Sequence, residues 1–154
     1  MSSSLELLKM LNLPAVDGES SGSRAATADA DLPVVVVADD DVDNLVLLSY
    51  ILEPFPCSLF CETDGKVALE RALNLKPDLM MLDVRLPGIS GLDIVRTLRA
   101  DEATALIPII AVTAMASLSD KLSIFQSGFN QYVSKPYLLR DIEKLIGLYL
   151  PVRV

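Results

Sequence analysis

Apolar residues fall into two kinds of run along this chain. Short, nearly continuous blocks rich in strand formers alternate with longer segments in which apolar positions recur every three or four residues. The short blocks predict strands at Val34 to Ala38, Ser58 to Cys61, Leu79 to Leu82, Ile107 to Val112 and Gln131 to Val133. The longer segments predict helices over about 43–52, 64–75, 91–100, 117–127 and 138–149. The last is the clearest, with Ile142, Leu145, Ile146 and Tyr149 on one helical face. Strands that are apolar throughout, without alternation, are buried on both sides, as in a parallel sheet covered by helices. The five βα units therefore predict an α/β fold, a doubly wound five-stranded parallel sheet with five helices. Gly128 stands where the fourth helix must stop, as a left-handed C-terminal cap requires.

The pattern is different before the first strand. Ser4 can cap a short helix with Leu5, Leu8 and Leu11 on one side. Residues 15–33 are small and polar with no apolar period, which reads as a linker. The division expected is a tail over 1–31, short helix plus flexible linker, and a domain over 32–154. Glu6 and Lys9 interrupt the first apolar patch, and no 18-residue apolar run follows, so neither a membrane span nor a secretory leader is predicted. A cytoplasmic protein with no membrane partner is the expectation.

Composition narrows the chemistry. The 154 residues are 51% apolar, enough for one core. A net charge of −8 with 13 Lys plus Arg offers no basic run to neutralise a phosphate backbone, so direct nucleic-acid binding is not expected. The absence of His removes histidine-based zinc sites, the Ser/His/Asp arrangement and phosphohistidine chemistry within this chain. Cys57 and Cys61, four residues apart in extended sequence, are separated by about 13 Å, too far for a disulfide. They are expected as reduced core thiols.

Ligands of open parallel sheets bind at the carboxyl ends of the strands. Strand one delivers Asp39 and Asp40 there, strand three Asp83, strand four Thr113 and strand five Lys135. Three neighbouring carboxylates resist desolvation and raise one another's pKa, so positive charge must compensate. A hard divalent cation suits such oxygen donors, and Mg²⁺ binds through one or two carboxylates while keeping room for water and phosphate oxygens. Asp43 is expected to cap the first helix and Asp41 to be solvated. An EF-hand is excluded by spacing, because position twelve from Asp39 is Tyr50.

VVVVADDD, LDVRLPGISG, VTA and YVSKP occur in order, each at a strand end, and in this the chain resembles the receiver domains of two-component response regulators over about Leu32 to Leu150. The resemblance implies a flavodoxin-like sheet in the order 2-1-3-4-5. It implies that Asp83 is the phosphoacceptor and that Asp39, Asp40, Asp83 and the backbone carbonyl of Arg85 hold Mg²⁺, with Mn²⁺ as a substitute. Lys135 and Thr113 would contact the phosphoryl oxygens, and Thr113 with Tyr132 would form the switch. Lys135–Pro136 would be cis. Arg85 and Met115 occupy positions expected to shield the aspartyl phosphate. Departures from the family pattern are Ala38 before the acidic pair and Ser90 in the turn; neither belongs to the active set.

The function expected is a stand-alone phosphoacceptor, since only about four residues follow the last predicted helix. The donor would be a histidine kinase or phosphotransfer protein. Output would pass to a downstream protein, with a homodimer as a further partner, through the face of the fourth helix, fifth strand and fifth helix, where Tyr137 and Leu118 are candidate surface contacts. The protein would be no enzyme beyond its own phosphotransfer and autodephosphorylation. The alternatives are a constitutive adaptor that is never phosphorylated and a Mg²⁺-dependent phosphohydrolase. The latter class needs a second acid two residues after the nucleophile, where this chain has Arg85.

Overall fold

Strands apolar on both faces need two helical layers to cover them, and the computed structural model of the protein has that arrangement. It describes residues 32–115 and 117–150; the expected tail helix and linker, Ala116 and the last four residues lie outside the described part. In chain order the elements are β1 Val34–Ala38, α1 Val42–Leu52, β2 Ser58–Glu62, α2 Gly65–Leu75, β3 Leu79–Leu82, α3 Gly91–Arg99, β4 Ile109–Thr113, α4 Leu118–Ser127, β5 Gln131–Ser134 and α5 Leu139–Tyr149. The sheet order is β2-β1-β3-β4-β5, and every neighbouring pair is parallel.

Alternate residues of each strand serve opposite layers. Val36, Ala38, Met80, Leu82, Ile109 and Ala111 pack with Ala68 and Ala72 of α2, Ile94 and Leu98 of α3 and Ile124 of α4. Val35, Val37, Leu79, Met81, Ile110 and Val112 pack with Leu45 and Leu48 of α1 and Ile142 and Ile146 of α5. Each fully buried Val, Leu, Ile or Met side chain among them contributes about 1.5–3 kcal/mol. In register, Ala38 lies opposite both Glu62 and Leu82, so β1, β2 and β3 end level and their following residues emerge together.

Several boundaries differ from expectation. β4 begins at Ile109 instead of Ile107. Pro108 has no N–H to give to a ladder, and the Ile107 N–H is spent on a turn, donating to the Thr104 carbonyl at 3.3 Å. The strand instead runs on to Thr113, opposite Ser134. Asp41, not Asp43, caps α1: its backbone is extended (φ −90°, ψ 104°) and its carboxylate accepts the Asp43 N–H at 3.0 Å. Asp43 already lies within the first helical turn. Gly128 ends α4 with φ 116°, the left-handed conformation anticipated for it. Ser90 caps α3 by accepting the Asp93 N–H at 3.2 Å.

Candidate functional site

The level ends of β1 and β3 put their acids side by side. One carboxylate oxygen from each of Asp39, Asp40 and Asp83 lies within 4.8 Å of the others. Asp39 is 1% exposed and Asp83 7%, while Asp40 faces solvent, so the cluster is sealed beneath and open above. From the end of β5, Lys135 bridges the two buried acids, its Nζ standing 2.7 Å from Asp39 Oδ2 and 2.8 Å from Asp83 Oδ2. Asp83 Oδ1 accepts the backbone N–H of Arg85 at 3.0 Å. The loop behind Asp83 is tight: Gly91 lies so close that a Cβ there would sit 2.6 Å from the Asp83 carbonyl oxygen, and Gly88 holds φ 87°.

Burial pushes the Asp39 carboxyl above its ordinary value, more strongly than the Lys135 ammonium and the Asp41 N–H pull it down. Burial acts in the opposite sense on Lys135 and tends to lower it, but the bonds and charges of Asp39 and Asp83 outweigh that and hold the ammonium above its ordinary value. Three acids thus face one lysine, and the deficit is positive charge. Hard oxygen donors at this spacing, with one exposed side, fit Mg²⁺ or Mn²⁺ better than a soft or tetrahedral metal.

Thr113, 1% exposed, ends β4 beside Ser134, and its Oγ1 accepts the Met115 N–H at 3.4 Å. Tyr132 is half-buried on β5; its hydroxyl donates to the Met115 carbonyl, and Lys121 Nζ lies 5.5 Å from its ring centre. Both proposed switch residues therefore hold the backbone of one residue, Met115. That side chain packs against the core, whereas Arg85 is exposed. The Lys135–Pro136 peptide is cis.

Asn44 and Tyr137 belong to the site and were not assigned to it from sequence. Asn44 Nδ2 donates to Asp39 Oδ2 at 2.7 Å, and the Tyr137 hydroxyl donates to Asn44 Oδ1 at 2.7 Å. Tyr137, expected as a surface contact, is half-buried with its hydroxyl tied to this network, whereas Leu118 is 75% exposed. The available signal was Asn44 lying four and seven residues before Leu48 and Ile51, a polar residue on the buried stripe of α1.

Comparison with known proteins agrees with this geometry. Residues 35–147 match the family model of the response regulator receiver domain. The chain is 34% identical over 116 residues to the polar-differentiation response regulator DivK of Brucella anthropi, covering 75% of this chain and 94% of DivK. It is 36% identical over 116 residues to the DNA-binding dual master transcriptional regulator RpaA of Synechocystis, covering 75% of this chain but 47% of RpaA, so it spans about half of that relative. Among solved structures, the receiver domain of the sensor histidine kinase PA1611 from Pseudomonas aeruginosa superimposes with a TM-score of 0.69 at 26% identity, over 76% of this chain and 96% of that one. That structure has a magnesium ion coordinated in its active-site cleft.

Proposed function

We propose that this chain, which belongs to the response regulator receiver domain family of two-component signalling, accepts a phosphoryl group on Asp83 and passes the signal on through protein contacts. The observation that carries the reading is Lys135 shared between Asp39 and Asp83 at 2.7 and 2.8 Å within a cluster of three carboxylates. Phosphoryl transfer needs positioning and charge neutralisation more than covalent assistance, and this cluster provides both.

Asp83 attacks the phosphorus of a phosphohistidine on a partner protein. A P–O bond forms, the P–N bond breaks, and the imidazole leaves with a proton from solvent. Asp39, Asp40, Asp83 and the Arg85 carbonyl would hold Mg²⁺, which would supply charge neutralisation at the transferring group. Lys135 moves its ammonium from the Asp83 carboxylate to the phosphoryl oxygens, and the Thr113 hydroxyl turns toward them. Because Thr113 and Tyr132 share Met115, that movement reaches the Tyr132 side chain, a packing-coupled equilibrium biased by the phosphate.

The output surface in this reading is the α4–β5–α5 face. Leu118, Leu122 and Phe125 are exposed on α4, and Tyr132, Tyr137, Leu138, Asp141, Lys144 and Leu145 line a groove of about 530 Å³. A downstream protein, or a second copy of the chain, is the partner expected there. The receiver unit is taken as 32–154, preceded by a tail of 1–31. Among the described residues no helix is long and apolar enough to cross a membrane; a cytoplasmic location is part of the proposal.

The test is intact mass after incubation with acetyl phosphate and Mg²⁺. One phosphoryl adduct is expected on the wild type, none on Asp83→Asn and none with EDTA. An unmodified wild type under all conditions would refute the phosphoacceptor reading and favour a constitutive adaptor.

A further inference from the structure

We propose that Tyr137 and Asn44 form a positioning relay that orients the Asp39 carboxylate for a divalent cation; the inference rests on the reading of the site given above. Asp39 is buried, and a carboxylate has about four acceptor positions. The protein fills three of them. Oδ1 takes the Asp41 N–H at 2.8 Å, and Oδ2 takes both Lys135 Nζ and Asn44 Nδ2 at 2.7 Å.

The Asn44 amide has two ends, and their arrangement matters. With Nδ2 toward Asp39, the amide adds a donor to the buried charge; turned over, it would set its oxygen against a carboxylate. Asp39 disfavours the second arrangement, and Tyr137 holds the amide in the first by donating its hydroxyl to Asn44 Oδ1 at 2.7 Å. The phenol keeps its proton at neutral pH as an ordinary tyrosine does, and burial only pushes it further up, to about 12. Lys135 and Tyr137 are two residues apart in the same segment, so the chain leaving β5 grips Asp39 from two sides. Lys135 does so directly, and Tyr137 acts through α1. Hydrogen-bond partners that orient a metal ligand typically account for about 10–100-fold in metal affinity.

The test measures the Mg²⁺ dissociation constant of the full chain by calorimetry, and the Asn44 side-chain amide signals of the metal-free protein by NMR. Asn44→Leu is expected to weaken Mg²⁺ binding by about 10–100-fold. Tyr137→Phe is expected to weaken it by about two- to tenfold, the worth of one neutral hydrogen bond. Because Tyr137 acts through Asn44, the double variant should bind no more weakly than Asn44→Leu alone. Tyr137→Phe should also shift the Asn44 amide signals and speed their exchange without metal. Tyr149→Phe, which removes a hydroxyl bonded to Gln131 at 3.1 Å on the opposite edge of the sheet, should change neither readout. If Asn44→Leu does not fold, Asn44→Ser and Tyr137→Phe carry the comparison. An Asn44→Leu affinity within about twofold of wild type, a Tyr137→Phe affinity indistinguishable from wild type, or additive losses in the double variant, overturn the relay alone. A wild type that takes up neither Mg²⁺ nor a phosphoryl group overturns the relay and the reading beneath it together.

Discussion

Two clusters of buried charge occupy neighbouring strand ends, joined by the Asp39 N–H donating to the Glu62 carbonyl at 3.1 Å, and they are built on opposite principles. At the end of β2, Glu62 meets Arg71 of α2, with side chains 1% and 8% exposed, and the guanidinium lies 4.9 Å from the centre of the Phe60 ring. One acid faces one base, and both are buried. At the ends of β1 and β3 three acids face Lys135, whose side chain is 21% exposed, and Asp40 opens the cluster to solvent. Balanced and sealed charge holds a fold together. Unbalanced charge with an open side has an affinity left over for something positive, and that is what makes a site.

The balanced pair should fail most severely when broken. Arg71→Leu leaves the Glu62 carboxylate buried without its guanidinium, and a loss of about 3–5 kcal/mol is expected, read as a lower urea midpoint at unchanged slope. The unbalanced cluster should not respond in this way. Asp83→Asn removes one of three like charges and leaves Lys135 its bond to Asp39, so the metal-free protein should be no less stable than the wild type. If the cluster takes Mg²⁺ as proposed, the same variant should forfeit the stabilisation expected of the ion on the wild type, about 2.7 kcal/mol at a hundred times its dissociation constant. Thermal melts with and without Mg²⁺ measure both effects. If metal-free Asp83→Asn is destabilised as Arg71→Leu is, the distinction between the two clusters collapses.

The smallest effect sharpens the contrast with groups buried neutral. Burial pushes the Cys57 thiol up to about 11 and the Cys61 thiol up to about 12, with the charge of Glu62 adding to the burial of Cys61. The ordinary value is 9.0, and the folded values lie above it. Their contribution to stability is therefore complete below pH 9 and lost as pH climbs toward 11 and then 12. Melting midpoints should hold to pH 9 and decline above it more steeply than in a Cys57→Ala, Cys61→Ala variant. Iodoacetamide at pH 8 should leave Cys61 of the native protein unmodified.

The features legible in the sequence were those with a local signature. Uninterrupted apolar blocks such as VVVVA and LMML give each strand away, because a run with no polar face can only lie between two layers. Acids placed directly after such blocks could be assigned to one edge before any geometry was available. The misplaced cap at Asp43 shows the limit of that reasoning: Asp41 and Asp43 are equally good capping residues, and only the extended backbone at Asp41 decides between them. The Glu62–Arg71 pair spans nine residues and two elements, and in the sequence each looks like an ordinary charged surface residue.

By itself, then, the sequence determined the succession of strands and helices, the identity of the acids at the sheet edge and their excess over positive charge. These follow from residue type and local spacing, which act within a few residues. The tertiary structure decided which acids are sealed, that Lys135 lies between Asp39 and Asp83, and that Asn44 and Tyr137 join them although 93 residues separate the last two. Those outcomes depend on strands ending level across a sheet and on one turn leading out of β5. Hydrogen bonds between side chains are set by positions in space, and no local pattern encodes them.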